Sequence, residues 1–162
     1  MNLQPRIELK AEKKLVGKHI TMSFIDNKTF GLWSSFMPGR KEIINNIGSE
    51  LYSSEVFPMN HFVNFNPENE FEKWAAVEVT DFNNVPEGMD TLTSPEGLYA
   101  VFTYKGPASE GTKAYHYIFM EWLPKSDYEV DERPHFAVMG EKYKHDDPEN
   151  EEELWLPIRV KQ

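Results

Sequence analysis

The stretch "GLYAVFTYKGPASEGTKAYHYIFMEWLPKSDY", residues 97–128, decides the fold because its hydrophobic pattern changes halfway along. Residues 97–106 are rich in apolar, β-branched and aromatic side chains, which is typical of a strand. From Thr112, a candidate N-cap, the apolar residues take helical spacing until Pro124, which stops the helix. The apolar stripe of this helix consists of Tyr115, Ile118, Phe119 and Trp122. The stretch therefore predicts a strand followed by an amphipathic helix.

Two more strands are predicted after this helix. "PHFAVMGEKY" (134–143) reads as a strand or strand pair, and "EELWLPIRV" (152–160) reads as the closing strand. The second half of the chain thus has the order strand, helix, strand, strand.

The first half of the chain shows the same order of elements. A helix is predicted within residues 27–51, where Asn27 or Thr29 is a candidate N-cap and Pro38 and Gly39 break or kink the helix midway. Its helically spaced apolar residues are Leu32, Phe36, Ile43 and Ile47. The strands predicted around it lie at residues 18–24 and 73–82, and residues 54–65 read as strand and hairpin material interrupted at Pro58. The repeat is one of pattern, without residue identity.

The repeat predicts an α+β fold made of tandem β-α-β-β modules with pseudo-twofold symmetry. The modules share an antiparallel sheet and carry two main helices, with a ligand groove where they meet. Within one domain of 162 residues, we place module one at about residues 5–82, a linker at about 83–96 and module two at about 97–160.

Composition excludes several classes of function. Seventeen Lys and Arg against 27 Asp and Glu give a net charge of −10, so direct contact with nucleic acid is not expected. The absence of cysteine excludes disulfides, thiol catalysis and Cys-ligated zinc. The amino terminus lacks the apolar core of a signal peptide, and no apolar run reaches the roughly 20 residues of a membrane helix. We therefore expect a cytoplasmic protein, either a monomer or a homodimer.

Catalytic and metal sites have little support in the sequence. The five histidines show neither HExxH nor HxH spacing, and no G-x-S-x-G motif occurs. The acidic run "HDDPENEEE" (145–153) lacks the D-x-D-x-D-G spacing of a calcium loop and reads as a solvated turn. We therefore name no catalytic residue, no metal and no cofactor.

The aromatic content, 14 % with four tryptophans, is high for a small domain and indicates a pocket as well as a core. Alternation places Trp74 with Glu78 on one face of their strand, and Trp155 with Arg159 on one face of theirs. A tryptophan beside a charge suits an aromatic or cationic ligand. The alternative is that both tryptophans cover the sheet while Glu78 and Arg159 face water, and the sequence leaves both open.

Several motifs together resemble the GyrI-like small-molecule-binding domain, the effector-binding domain of multidrug-responsive and AraC-type transcription regulators. They are "GLYAVFTYKGP", "YIFMEWLPKSDYEVDERPHFAVMGEKY" and "ELWLPIRV", preceded by "LWSSFMPGRKEI", "LYSSEVF" and "FEKWAAVEV". The resemblance covers nearly the whole chain and includes stand-alone bacterial members. It implies paired β-α-β-β modules that bind bulky, flat, hydrophobic and often cationic compounds between aromatic walls and a buried glutamate. It leaves no length for a helix-turn-helix module.

This sequence departs from the family pattern at one informative position. The family glutamate stands in a "P-x-F-E" context, and matching "RPHFAVMG" (133–140) to it puts Ala137 at the glutamate position. An alanine supplies no charge to attract a cation. Glu78 or Glu141 are the candidates to replace it, and the expected ligand shifts from a bulky cation toward a neutral aromatic compound.

The leading hypothesis is binding or sequestration of a hydrophobic or aromatic small molecule in the inter-module groove. The predicted ligand-binding residues are Trp33, Phe36, Trp74, Glu78, Phe102, Tyr115, Trp122, His135, Ala137 and Trp155. One alternative is a hydrolase that opens strained cyclopropane rings of DNA-alkylating natural products, as some relatives do. Another is an acidic protein-interaction module, whose binding would weaken steeply with salt.

Overall fold

The computed structural model of the chain describes residues 3–62, 66–140, 144 and 147–162. Within them, nine strands form one antiparallel sheet. The strands are β1 Arg6–Lys10, β2 Lys13–Met22, β3 Leu51–Val56, β4 Phe71–Val79, β5 Asp90–Ser94, β6 Gly97–Lys105, β7 Tyr128–Val130, β8 His135–Met139 and β9 Glu151–Val160. No helix in this part of the chain has both the length and the apolar character that crossing a bilayer requires.

Two main helices accompany the sheet. The first, α1 (Thr29–Phe36), runs on into a 3-10 turn, Met37–Glu42. The second, α2 (Gly111–Tyr117), follows a short 3-10 turn, Ala108–Glu110, and continues through a π-helical turn, Ile118–Trp122, into α3, Leu123–Lys125. The predicted α+β class, with an antiparallel sheet and two main helices, is confirmed.

The strand order shows the two predicted repeats. It is β1-β6-β9-β8-β3-β4-β2-β5, with β7 pairing with β9 beyond the end of β8. The elements β2, α1, β3 and β4 form one half, and β6, α2, β8 and β9 form the other in the same chain order. The two halves meet where β3 pairs with β8. This pair is the centre of the sheet.

The outermost strands cross between the halves, which the sequence did not predict. β1 directly precedes β2 of the first half in the chain but pairs with β6 of the second half. β5, which lies inside the predicted linker 83–96, directly precedes β6 but pairs with β2. Only Ala11 and Glu12 join β1 to β2, and a three-peptide step reaches at most about 11 Å. Because β1 and β2 lie near opposite ends of the strand order, the sheet must curl until its two ends approach each other.

The curled sheet has two different faces. The helix face carries α1 over a cluster that includes Val16, Ala75 and Val77, and α2 over one that includes Phe102 and Leu154. The inner face encloses a third cluster, formed by Leu15, Tyr52, Ala76, Tyr99, Val101, Phe136 and Trp155. Strands from both halves contribute to this third cluster, so the inner face is the inside of the curl.

The first helix is shorter than predicted, and its prediction beyond residue 42 was wrong. Pro38 has no amide hydrogen to continue the helix, and the backbone is extended at Ile43. The amide of Ile47 instead donates to the carbonyl of Glu78, and the amide of Thr80 donates to the carbonyl of Asn45. Hydrogen bonds to the end of β4 have replaced the helical ones, so the helical spacing of Ile43 and Ile47 was coincidental.

Candidate functional site

The centre of the helix face is a strip that lies between the areas packed under α1 and α2. We call it the central strip; its floor is formed by the helix-facing residues of β3 and β8, namely Leu51, Ser53, Glu55, His135, Ala137 and Met139. Glu55 lies opposite His135, and Ser53 lies opposite Ala137. The hydroxyl of Ser54, on the inner face, donates to the carbonyl of His135 over 2.7 Å and fixes this pairing. Ser53 is half-buried and the Glu55 side chain remains 15 % exposed, so the strip is incompletely covered.

A charged pair lies at the edge of this floor, between β3 and β4. The ammonium of Lys73 on β4 donates to the carboxylate of Glu55 over 2.7 Å, and the two side chains are 11 % and 15 % exposed. Register places Lys73 directly opposite Glu55 on the same face. Burial raises the pKa of the Tyr115 hydroxyl well above its usual value, and the nearby charge of Glu55 raises it further. Tyr115 therefore stays a neutral hydrogen-bond donor within electrostatic reach of Glu55.

Aromatic rings from both halves cover the His135 end of the strip. The ring centroids of Phe57, Phe62 and Phe119 lie 4.9, 6.1 and 6.4 Å from that of His135. Phe62 follows β3, Phe119 lies in the π-helical turn, and the two stack at 5.1 Å. π-helical turns inside helices are frequent at functional sites. The cover is a contact between the two halves of the fold.

Burial controls the protonation of His135. Desolvation lowers its pKa from 6.5 to about 3, and the charges of Arg133 and His61 add to this effect. A neutral imidazole is therefore present at physiological pH. Such a ring offers an aromatic surface without a positive charge.

Clefts open at both ends of the strip. At the His135 end, a cleft of about 230 Å³ lies between the Phe57–Phe62 segment and the turn from Glu129 to Arg133. At the other end, a depression of about 480 Å³ is lined by Met37, Arg40, Lys41, Ile43, Asn46 and Val77. Leu51 packs into the same cluster as Ile43 and Val77, which places this depression beside the start of β3. The strip thus has room at both ends.

The cleft at the His135 end carries a network of charges. Arg133 donates to Asp131 over 2.7 Å, and Arg159 pairs with Glu129 and Asp131 over 3.3 and 3.5 Å. Burial acts to raise the pKa of Asp131, but hydrogen bonding and the charges of both arginines outweigh it and lower this pKa. Glu129 and Asp131 are therefore already paired with cations.

Seven of the ten predicted ligand-binding residues lie on the helix face. His135 and Ala137 are in the floor, each about 6 % exposed, and Tyr115 lies beside it. Phe36 and Phe102 are fully buried, and Trp33 and Trp122 pack edge-on against them at 5.7 and 5.1 Å. These four rings support the helices, and only the first three residues contribute to the strip.

The other three predicted residues lie on the inner face. Trp74 stacks on His19 at 4.5 Å and donates to Glu72, and Trp155 stacks on Phe136 at 5.4 Å. Glu78 pairs with Lys13 over 3.6 Å and accepts a hydrogen bond from Tyr52 over 3.3 Å. The sheet separates these residues from His135 and Ala137, so the structure does not bring the predicted set together. The other candidate replacement, Glu141, lies outside the described residues.

Sequence reasoning missed the residues that surround the strip most closely. They are Glu55, Phe57, Phe62, Lys73 and Phe119. Alternation along β3 indicated that Glu55 shares a face with Ser53. That these two residues lie opposite His135 and Ala137 follows only from the β3–β8 register.

Comparison with known proteins places the chain among ligand-binding domains. Residues 3–159 match the GyrI-like small molecule binding domain. The transcriptional regulator BrlR of Pseudomonas aeruginosa is 27 % identical over 158 residues, which cover 97 % of this chain and 56 % of BrlR. The chain therefore spans about half the length of this curated relative.

Solved structures show the same fold. SAV2435 bound to tetraphenylphosphonium superposes with a TM-score of 0.74 at 15 % identity, covering 98 % of this chain and 94 % of that one. A hydrolase encoded by lin2189 from Listeria innocua superposes with a TM-score of 0.54 at 12 % identity, covering 96 % and 92 %. At such identities the likeness concerns the fold alone.

Proposed function

Because the chain belongs to the GyrI-like small-molecule-binding family, we propose that it binds, and so sequesters, a bulky hydrophobic or aromatic small molecule on the central strip. One observation carries the proposal: the junction of the two halves is incompletely covered, and the aromatic rings over it come from both halves. Pockets for such ligands combine apolar and aromatic walls with a few polar groups. Here the walls include Phe57, Phe62 and Phe119, and the polar groups include Glu55 and Tyr115.

The aromatic cover suggests how a ligand enters. Phe62 stacks on Phe119 over His135, so a flat ligand on the strip takes the place of one of these rings. Exchange of one stacked aromatic contact for another costs little, because the lost contact between the rings is replaced by one with the ligand. The two clefts supply room for the parts of the ligand that extend beyond the strip.

Isothermal titration of a broad panel of aromatic compounds tests the proposal. Ser53→Phe fills the floor of the strip, and we expect it to weaken binding by about 10-fold or more. Thr103→Phe makes the same kind of addition on the inner face of β6, where Thr103 is exposed, and should bind like the unmodified chain. Absence of binding by the unmodified chain up to about 1 mM, where the binding free energy is only about 4 kcal/mol, would refute the proposal.

Hydrolysis of a strained ring has weaker support. It requires a carboxylate or imidazole that can activate water, but Glu55 is engaged by Lys73, and His135 is buried with a lowered pKa. The likeness to a hydrolase carries only the fold. Product analysis after incubation with a cyclopropane-bearing alkylator separates the two functions, since a binder slows decay of the compound and a hydrolase accelerates it.

A further inference from the structure

We propose that Lys73 is a built-in counter-ion that cancels the charge of Glu55 in the central strip, so that the site prefers neutral aromatic ligands to cationic ones. The inference rests on the proposed function and adds the determinant of ligand charge. It makes Lys73 a specificity-determining residue that acts through Glu55.

The geometry identifies Lys73 as the partner of this carboxylate. The two residues are directly opposed on neighbouring strands, their charged atoms are 2.7 Å apart, and both side chains are nearly buried. Ala137 lies diagonally across β3 and contributes no charge, while His135 is neutral. The floor of the strip therefore contains one negative group, Glu55, which is held by one positive group beside the floor, Lys73 on β4.

Stability alone is a poor explanation for this pair. Removing two charges from water costs more than their attraction returns unless the geometry is very favourable, so apolar residues of similar size are often as stable at such positions. The neighbouring positions on the same face of β4, Phe71 and Ala75, are apolar and buried. A Lys–Glu pair among apolar neighbours, at the edge of a ligand site, fits a role in recognition.

The pair also predicts how the site treats charged ligands. A cationic ligand must compete with Lys73 for Glu55 and is repelled by the ammonium if it does not displace it. A neutral aromatic ligand leaves the ion pair intact, so the pair does not reduce its affinity. Removing the charge of Lys73 alone should therefore turn the site into one that prefers cations.

Two probes of almost equal size and shape and opposite charge measure this preference: tetraphenylphosphonium and tetraphenylborate. Triphenylphosphine oxide serves as the neutral probe. In Lys73→Met, we expect affinity for the cation relative to the anion to rise by about 10-fold or more, because Glu55 is left unpaired. In Glu55→Gln the same ratio should fall, and in the double variant Glu55→Gln/Lys73→Met it should return to the starting value. Affinity for the neutral probe should change little throughout.

Lys13→Met is the matched control. It removes the same charge from a Lys–Glu pair of similar burial, with Lys13 and Glu78 each 18 % exposed, on the opposite face of the sheet. The change in net charge is identical, and the two lysines lie on opposite faces of the sheet. We expect Lys13→Met to leave the ratio of cation to anion affinity unchanged.

The outcomes separate this inference from the proposed function. If the unmodified chain binds none of the three probes and none of the aromatic panel, both fail. If it binds the neutral probe but Lys73→Met and Lys13→Met change the charge preference equally, the inference is overturned and the proposed function stands. If Lys73→Met does not fold, as judged by circular dichroism, Glu55→Gln decides, because an unchanged ratio in that variant also overturns the inference.

Discussion

The two faces of the sheet each carry a lysine–glutamate pair, and their surroundings differ. Glu78 on the inner face is held by Lys13 and by the hydroxyl of Tyr52, and the Lys13 ammonium lies 5.9 and 6.0 Å from the ring centroids of Tyr52 and Trp155. Burial raises the pKa of Tyr52, and the charge of Glu78 raises it further, so Tyr52 remains a donor. Glu55 on the helix face is paired with Lys73 and lies in the floor of the central strip, two residues from the half-buried Ser53. The two pairs are therefore similar in chemistry and in exposure, at 18 % for each side chain of the inner pair and 11 % and 15 % for Lys73 and Glu55, but they have different neighbours.

The largest expected effect concerns packing, which should be more costly to disturb on the inner face. Phe136 is fully buried between Tyr99, Tyr52 and Trp155, so Phe136→Ala should lower the free energy of unfolding by about 3–5 kcal/mol. Phe62→Ala, in the cover of the central strip, should lower it by only about 1 kcal/mol. Urea denaturation of both variants measures the difference. Equal losses would contradict the distinction between a packed face and a binding face.

The second expected effect is a pH dependence that originates in the strip. The pKa of His135 is about 3 in the folded protein and 6.5 when unfolded, so the unfolded chain binds more protons between these values. Stability from the neutral ring is fully present above pH 6.5 and is lost as the pH falls toward 3. Between pH 7 and pH 4 the loss amounts to about 3 kcal/mol.

His135→Phe tests this dependence, because it retains an aromatic ring and removes the titration. Its denaturation free energy should fall less between pH 7 and pH 4 than that of the unmodified chain. His116→Asn, at an exposed position on α2, should retain the full dependence. If the His116 variant and the His135 variant respond alike, the acid sensitivity does not come from the strip.

The third expected effect is smaller and adds charge to the strip. Ala137→Glu introduces a second carboxylate beside Ser53 that Lys73 does not already neutralise, so affinity for tetraphenylphosphonium should rise about 10-fold. Affinity for triphenylphosphine oxide should not rise. Thr103→Glu is the control, because it adds the same charge on the inner face, away from the central strip. Calorimetric titration of both variants decides whether position 137 lies in the ligand site.

The smallest expected effect belongs to the inner pair. Glu78→Gln preserves the shape of the side chain and its hydrogen bond from Tyr52, and we expect ligand affinity to change by less than about 2-fold. A large loss of binding would move the site to the inner face and reinstate Glu78 as a ligand contact. The measurement is the same titration used for Ala137→Glu.

Much of the fold was predictable because the periodic segments are long and distinct. The strand-helix transition at residues 97–128 and the sorting of Ala75 and Val77 away from Trp74 and Glu78 both follow from side-chain direction. The helix of residues 111–125 was predicted nearly to its ends, but Glu110 and not Thr112 is its N-cap, and Pro124 lies inside its last turn instead of stopping it. The edge strands β1 and β5 were missed because they are five residues each, with polar and charged positions that resemble a loop.

The site was less predictable, for a physical reason. Alternation identifies which residues share a face, but both faces of this sheet bury aromatic residues, so polarity does not reveal which face meets the ligand. Trp74 and Trp155 each share a strand face with a charged residue, which is typical of the wall of a ligand site, but both are packed inside the curl. Glu55 is recognised only once β3 is paired with β8, a contact between residues about 80 positions apart that no local pattern encodes.

The exchange of β1 and β5 between the halves also limits how the protein can respond to a ligand. Two short connections, Ala11–Glu12 between β1 and β2 and Pro95–Glu96 between β5 and β6, join the two ends of the sheet. If the two halves rotated apart at the β3–β8 pair, both connections would have to span more than the maximum length of an extended chain. Adjustment to ligands of different size is therefore left to side chains outside this frame, in residues 57–62 and in the π-helical turn.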